Sequence, residues 1–165
     1  MADSGLRKVG QWDLAGLLTR NLNSDIDKSN KIVLMQIGLE LEGMIVKRIH
    51  SQPSEWEPLS EKYQKRKAKE GKSNLMLIAT STMVNSVTSV VKYPLVAAGV
   101  KRGAFNEDGV EVANVAAVMH FGSEKRNIPP RDFLTKPYQE MRKKIAGGLF
   151  QKRLLQFIRK KYRTG

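Results

Sequence analysis

The stretch KIVLMQIGLELEGMIVKRIH, Lys31 to His50, decides the fold. Its polar positions Gln36, Glu40, Gly43 and Lys47 recur at intervals of four, three and four, which is one face of a helix. Ile32, Val33, Leu34, Met35, Ile37, Leu39, Leu41, Met44, Ile45, Val46 and Ile49 surround that stripe with apolar side chains. The pattern predicts a long helix from about Asp25 to Ile49, opened by the cap-like cluster Ser24, Asp25 and Asp27. A helix with so thin a polar stripe needs cover on more than one side. In a chain of 165 residues, part of that cover is expected from a neighbouring subunit.

Outward from this helix the punctuation is clear. Pro53 stops it, and Trp56-Glu57-Pro58-Leu59 reads as a turn. Ser60 is placed to cap a basic helix over Glu61 to Glu70, with Gly71 at its C-terminal end. Leu75 to Ile78 is apolar, and Thr80 to Ser86 fits a short helix. The period then changes to two: Val87, Ser89, Val91 and Tyr93 alternate with Thr88, Val90 and Lys92. Pro94 interrupts, and Leu95 to Val100 gives the returning strand of a hairpin. Gly103 to Gly109 is a polar loop. Val112 to Phe121 fits helix or strand, and its alanines favour a short helix from Asn114 to His120. Lys136 to Tyr162 reads as two helical pieces hinged at Gly147-Gly148. Upstream, Met1 to Asn23 reads as a loose arm with a helical piece around Trp12 to Leu18. The fold class expected is α+β, with a long N-terminal helix packed on a small, mainly antiparallel sheet and helical extensions at both ends. The divisions expected are an arm over 1–24, a core domain over 25–140 and a basic helical extension over 141–165.

Composition narrows the chemistry. A hydrophobic fraction of 41% and a charged fraction of 27% are globular values. The absence of cysteine removes disulfides, thiolate catalysis and zinc sites built on Cys, and two histidines leave little for a metal. Gly71-Lys72-Ser73 suggests a phosphate loop, but Arg66 stands where that loop needs its first glycine. His50 ends a helix, where it meets the last carbonyls, and His120 reads as a hydrogen-bonded packing residue. Glu40 and Glu42, two apart, face different ways on a helix. A protein without enzymatic activity, cofactor or metal is expected. No apolar run is long enough to span a bilayer and Met1 to Trp12 has no signal-peptide character, so no membrane association is expected.

The formal net charge of +13 predicts attraction to phosphate or to an acidic protein face. Lys62, Lys65, Arg66, Lys67, Lys69 and Lys72 form one candidate surface. Arg142, Lys143, Lys144, Lys152, Arg153, Arg159, Lys160, Lys161 and Arg163 form another. Each is either DNA-facing or a solvated, protein-contacting face. A basic nucleic-acid-binding module is the alternative that follows from charge alone.

Three patches in fixed order carry a family likeness. Trp56-x-Pro58-Leu59 with Tyr63 and Lys67 follows the long helix. Leu75 through Thr80, then Met83 and Ser86, leads into the first strand. Ala116-x-x-Met119-His120-Phe121-Gly122 precedes Ile128-Pro129-Pro130-Arg131-Asp132-Phe133-Leu134. Together they resemble the phage virion morphogenesis family, the tail-completion proteins of Mu-like tailed phages, over roughly Ile32 to Tyr138. Ser81 stands where the family has a glycine, and His120 is directly adjacent to Phe121. The resemblance implies a structural virion protein made in the host cytoplasm, a six-fold homomeric ring at the neck or tail end. Its implied partners are further copies of itself, portal-side head-connector proteins, tail-terminator or tail-tube proteins, and genomic double-stranded DNA passing through the lumen. Trp56, Leu59, Phe121, Gly122, Pro129, Arg131, Phe133 and Leu134 are expected to maintain the fold of such a subunit.

Overall fold

The structure, a computed structural model, describes residues 12–162, with side chains described for 23–160. It is an α+β fold built on one long helix, α1 (Trp12–His50). That helix starts earlier than the capping pattern suggests. Ser24, Asp25 and Asp27 lie inside it, and Ser29 Oγ donates back to the Asp25 carbonyl at 2.6 Å. Short polar side chains in a helix satisfy themselves this way without ending it. The helix therefore crosses the expected boundary at residue 24 unbroken; residues 1–11 of the expected arm lie outside the described residues.

Val33, Ile37, Leu41, Ile45 and Ile49 bury one face of α1. The order of elements beyond it is α2 (Glu61–Lys69), α3 (Thr82–Asn85), β1 (Val87–Lys92), β2 (Leu95–Val100), α4 (Val112–Phe121), a 3-10 turn (Glu124–Arg126), α5 (Thr135–Ala146) and α6 (Leu149–Tyr162). The strands form an antiparallel hairpin with Val90 opposite Ala97 and Ser89 opposite Ala98. Ser60 and Ser81 precede α2 and α3 without a side-chain capping bond.

The hairpin lies against α1 at Gly38. A Cβ there would come within 2.8 Å of Ser89 Oγ and 3.1 Å of Val96, so only glycine lets the strand approach so closely. Both edges of the sheet are plugged by side chains. Tyr138 Oη accepts from the Ala98 amide at 2.8 Å and donates to the Ala98 carbonyl at 2.6 Å. Those groups therefore point away from β1, and the Ser89–Ala98 pair is a non-hydrogen-bonded one. On the other edge the Ser89 amide donates to Glu42 Oε1. Unpaired strand edges invite pairing with other chains, and these two contacts close the middle of each.

On its other flank α1 is covered by α5 and α6. Gly148 takes φ +88° between the two helices, and α6 folds back to set Leu149, Phe150 and Leu154 against the core. Met141, buried, sits in α5, which runs across the expected division at residue 140. The C-terminal helices are thus packed parts of the core. Much of the second cover that α1 requires comes from the chain itself.

After α4, Gly122 takes φ +78°, and a Cβ there would lie 2.9 Å from the Ile128 carbonyl and from Pro130 N. The strands of backbone on either side pair through Ser123 and Ile128. Replacing Gly122 with alanine combines a left-handed backbone with a clash against main chain, an expected cost of about 3 kcal/mol or more. Gly109→Ala, at φ +72° in open space, should cost only about 1–2 kcal/mol. Urea unfolding of the two variants measures the difference; equal losses would show that the 122–130 loop can shift.

Candidate interaction surfaces

The residues of the third sequence patch meet those of the first. Phe133 is fully buried, and Trp56 and Arg131 are nearly so. Arg131 Nη2 donates to the Glu57 carbonyl at 3.1 Å, and its own amide bonds the Met119 carbonyl at 2.8 Å. Burial pulls the Arg131 guanidinium below its ordinary pKa, with Glu57 and Tyr63 opposing. Arg48 lies over the Trp56 ring at 5.7 Å and donates to the Asp132 carbonyl and to Glu55. Glu55, gripped by Lys136 and Arg48, has its carboxyl pulled down to about 2. Asp132 Oδ1 accepts from the Leu134 and Thr135 amides and so caps the start of α5. Leu59, Pro129 and Leu134 are half-buried around this cluster.

Two of these residues depart from expectation. Phe121 is among the residues expected to maintain the fold, yet it is 77% exposed. It shares the outer face of α4 with Asn114 and Ala117, while Val112 and Ala116 face inward. His120 does pack, edge-on against Phe133 with centroids 5.3 Å apart, but its Nδ1 is 3.6 Å from Asp132, beyond hydrogen-bond range.

The basic residues separate into two kinds. Lys67, expected on a phosphate-tracking surface, is buried; its Nζ donates to the carbonyls of Leu75 at 2.8 Å and Ile78 at 3.1 Å. Burial first, and the Arg131 charge second, lower its pKa. Lys67 therefore ties α2 to the following loop. It lies four residues from half-buried Tyr63, on the inner face of the helix, and that spacing was the available signal. Lys62, Lys65, Arg66 and Lys69 stay on the outer face.

On α6, Arg153 pairs with Glu40 Oε2, while Lys144 holds Glu40 Oε1 at 2.7 Å. One carboxylate of α1 thereby clamps α5 and α6, and Arg153 is structural. Hydrogen bonding from Lys144, opposed by burial and helped by Arg153, holds Glu40 below its ordinary pKa. Arg159 and Lys160 are exposed, and the side chain of Lys161 lies outside the described residues. Among the described residues no group of three or more His, Asp or Glu is placed to hold a metal. No helix among them is long and apolar enough to cross a membrane.

Large apolar side chains also stand in solvent. Met35 and Leu39 form a shoulder on α1, and Val90 and Leu95 stand on the hairpin face turned away from α1. Val90, opposite Ala97, shares that face with Leu95 because alternate residues of a strand point the same way. Tyr93 at the hairpin tip is exposed as well.

The chain is 32% identical over 106 residues to the uncharacterized protein MJ0331 of Methanocaldococcus jannaschii, an alignment covering 64% of this chain and 73% of that protein. No family model matches the chain, and no solved structure matches it significantly.

Lys67→Met removes the donor to two carbonyls and should cost about 2 kcal/mol, whereas Lys62→Met should stay within about 0.5 kcal/mol. Urea unfolding distinguishes them, and equal effects would reject the structural role of Lys67. For Glu40 the folded pKa lies below the unfolded one, so its contribution is complete above the unfolded value of 4.5 and is lost as pH falls through the folded value. Protection of the α6 amides against exchange, taken relative to their intrinsic rates, should therefore fall below about pH 4.5, and Glu40→Gln should remove that pH dependence.

Proposed function

The chain belongs to the family of the archaeal protein MJ0331, and we propose that it is a structural virion protein of a tailed phage, forming a ring at the head–tail junction. The three ordered sequence patches supply the likeness. The two apolar surfaces that one copy leaves uncovered carry the case for assembly. A ring needs a heterologous contact, in which one patch of a subunit meets a different patch of the next. The Met35–Leu39 shoulder and the outer hairpin face with Val90 and Leu95 are two such patches, and they point in different directions. Leu39 is 62% and Leu95 70% exposed, an unfavourable arrangement for a copy that stays alone.

Ser81 also supports the likeness. It takes φ +60° where the family has glycine, a left-handed position that glycine occupies without strain. With both sheet edges plugged, the subunits join through faces rather than by continuing the sheet. DNA passes through the lumen, and portal-side and tail proteins cover the two ends of a six-membered ring. In this reading the protein works by assembly, and no step of bond chemistry is assigned to it.

Purified protein imaged in negative stain, alone and with tails, tests the proposal. Rings, or particles docked on tail ends, are expected. Leu39→Glu and Val90→Glu, both on exposed positions, should each abolish rings while leaving the circular dichroism spectrum unchanged. A wild-type protein that stays monomeric at all concentrations and never docks would overturn the reading.

A further inference from the structure

Along α2, Lys62, Lys65, Arg66 and Lys69 stand at i, i+3, i+4 and i+7, the set that shares one face of a helix. All four are exposed, and with Ser60 and Tyr63 they line one shallow open depression. The opposite face is fixed to the body by buried Lys67. The Arg66 guanidinium lies over the Tyr63 ring at 4.8 Å. Among the described residues Lys62, Lys65 and Lys69 have no ion-pair partner, and the carboxylate near Arg66 is Glu70 at a loose 3.8 Å. Four like charges on adjacent turns repel one another, a cost that the loose Arg66–Glu70 pair offsets only in part.

We propose that this face of α2 binds the phosphate backbone of double-stranded DNA without reading its sequence. From Lys62 to Lys69 the row spans about 10 Å at the helical rise of about 1.5 Å per residue. Phosphates along one strand advance about 3.4 Å each on the duplex axis, so the row faces about three of them. Protein interfaces deplete lysine at their centres and use exposed aromatic and apolar anchors. Here Leu59 and Tyr63 are half-buried, and the one amide on the helix, Gln64, donates to the Leu59 carbonyl. That leaves cations, and Arg66, the fork-shaped one suited to reading guanine, is laid over the Tyr63 ring. The C-terminal cations are a poorer candidate, because Lys144 and Arg153 are engaged by Glu40 and the others, among them Arg142, Lys143, Lys152 and Arg159, are divided between two helices. The inference rests on the geometry of α2 alone and holds whether or not the protein forms rings.

The test is fluorescence anisotropy of the full chain on a mixed-sequence duplex, over about 50 to 300 mM salt. The quadruple variant Lys62→Gln, Lys65→Gln, Arg66→Gln, Lys69→Gln should bind at least about tenfold more weakly, and its slope of log K against log salt should be shallower by about 3. A control with Arg142→Gln, Lys143→Gln, Lys152→Gln and Arg159→Gln removes the same charge elsewhere and should lose much less of either. Thermal unfolding of the α2 variant should change little, since relief of the mutual repulsion offsets the loss of the exposed Arg66 contacts with Tyr63 and Glu70. The inference is overturned if the wild type does not bind duplex at low salt, or if the two variants weaken alike. Polyglutamate competing as well as duplex DNA would point instead to an acidic protein face, and would also overturn it. Rings are scored separately in negative stain, so loss of either property leaves the other to be judged by itself.

Discussion

The burial of one face of α1 is the constraint on which everything else depends. Val33, Ile37, Leu41, Ile45 and Ile49 are almost wholly buried, and each element that follows is placed by the need to cover them. Burying such a side chain contributes about 1.5–3 kcal/mol, so five together amount to roughly the whole net stability of an ordinary domain. The hairpin covers one side, reaching close contact at Gly38, and α5 with α6 covers the other. α4 and the 122–134 segment close the end nearest Trp56, with Phe133 as the plug. What this packing leaves outside is as informative as what it hides. Met35 and Leu39 remain beyond the reach of the hairpin and of α6, and the proposed assembly follows from them.

Charge is divided by the same packing. Of the many cations, some fasten the fold: Lys67 holds two carbonyls, Arg131 one, Arg48 braces Trp56 and Asp132, and Lys144 with Arg153 shares Glu40. A cation fixed to backbone carbonyls in a buried place is unavailable to a partner. Of the cations left over, four stand on the outer face of α2, where a short helix held firmly from behind presents them as a row. The excess of positive charge is thus partly internal architecture and partly a surface, and only the second part bears on binding.

Much of the fold was legible because its signals are periodic. The alternation from Val87 to Tyr93, the break at Pro94 and the pair Gly147-Gly148 each fixed an element to within a residue or two. The long helix was legible in its apolar face but not in its start, because Ser24 and Asp25 serve equally as caps or as tolerated helix residues. The candidate surface was harder. Lys67 looks like its neighbours in a run of lysines, and only its register with Tyr63 separates it from them. Phe121 looks like a core residue by type, yet the turn of α4 carries it outward. The contact between Glu40 and Arg153, which joins α6 to α1 beside the packing of Leu149, Phe150 and Leu154, links residues more than a hundred apart, and no local pattern records it.

The central claim is that the α1 shoulder of one copy meets the outer hairpin face of the next. Because the chain has no cysteine, single thiols report that contact without background. Leu39→Cys chains mixed with Leu95→Cys chains under mild oxidation should yield a cross-linked pair containing one of each. Failure of the mixed pair to form, or cross-linking only between like chains, would contradict the account.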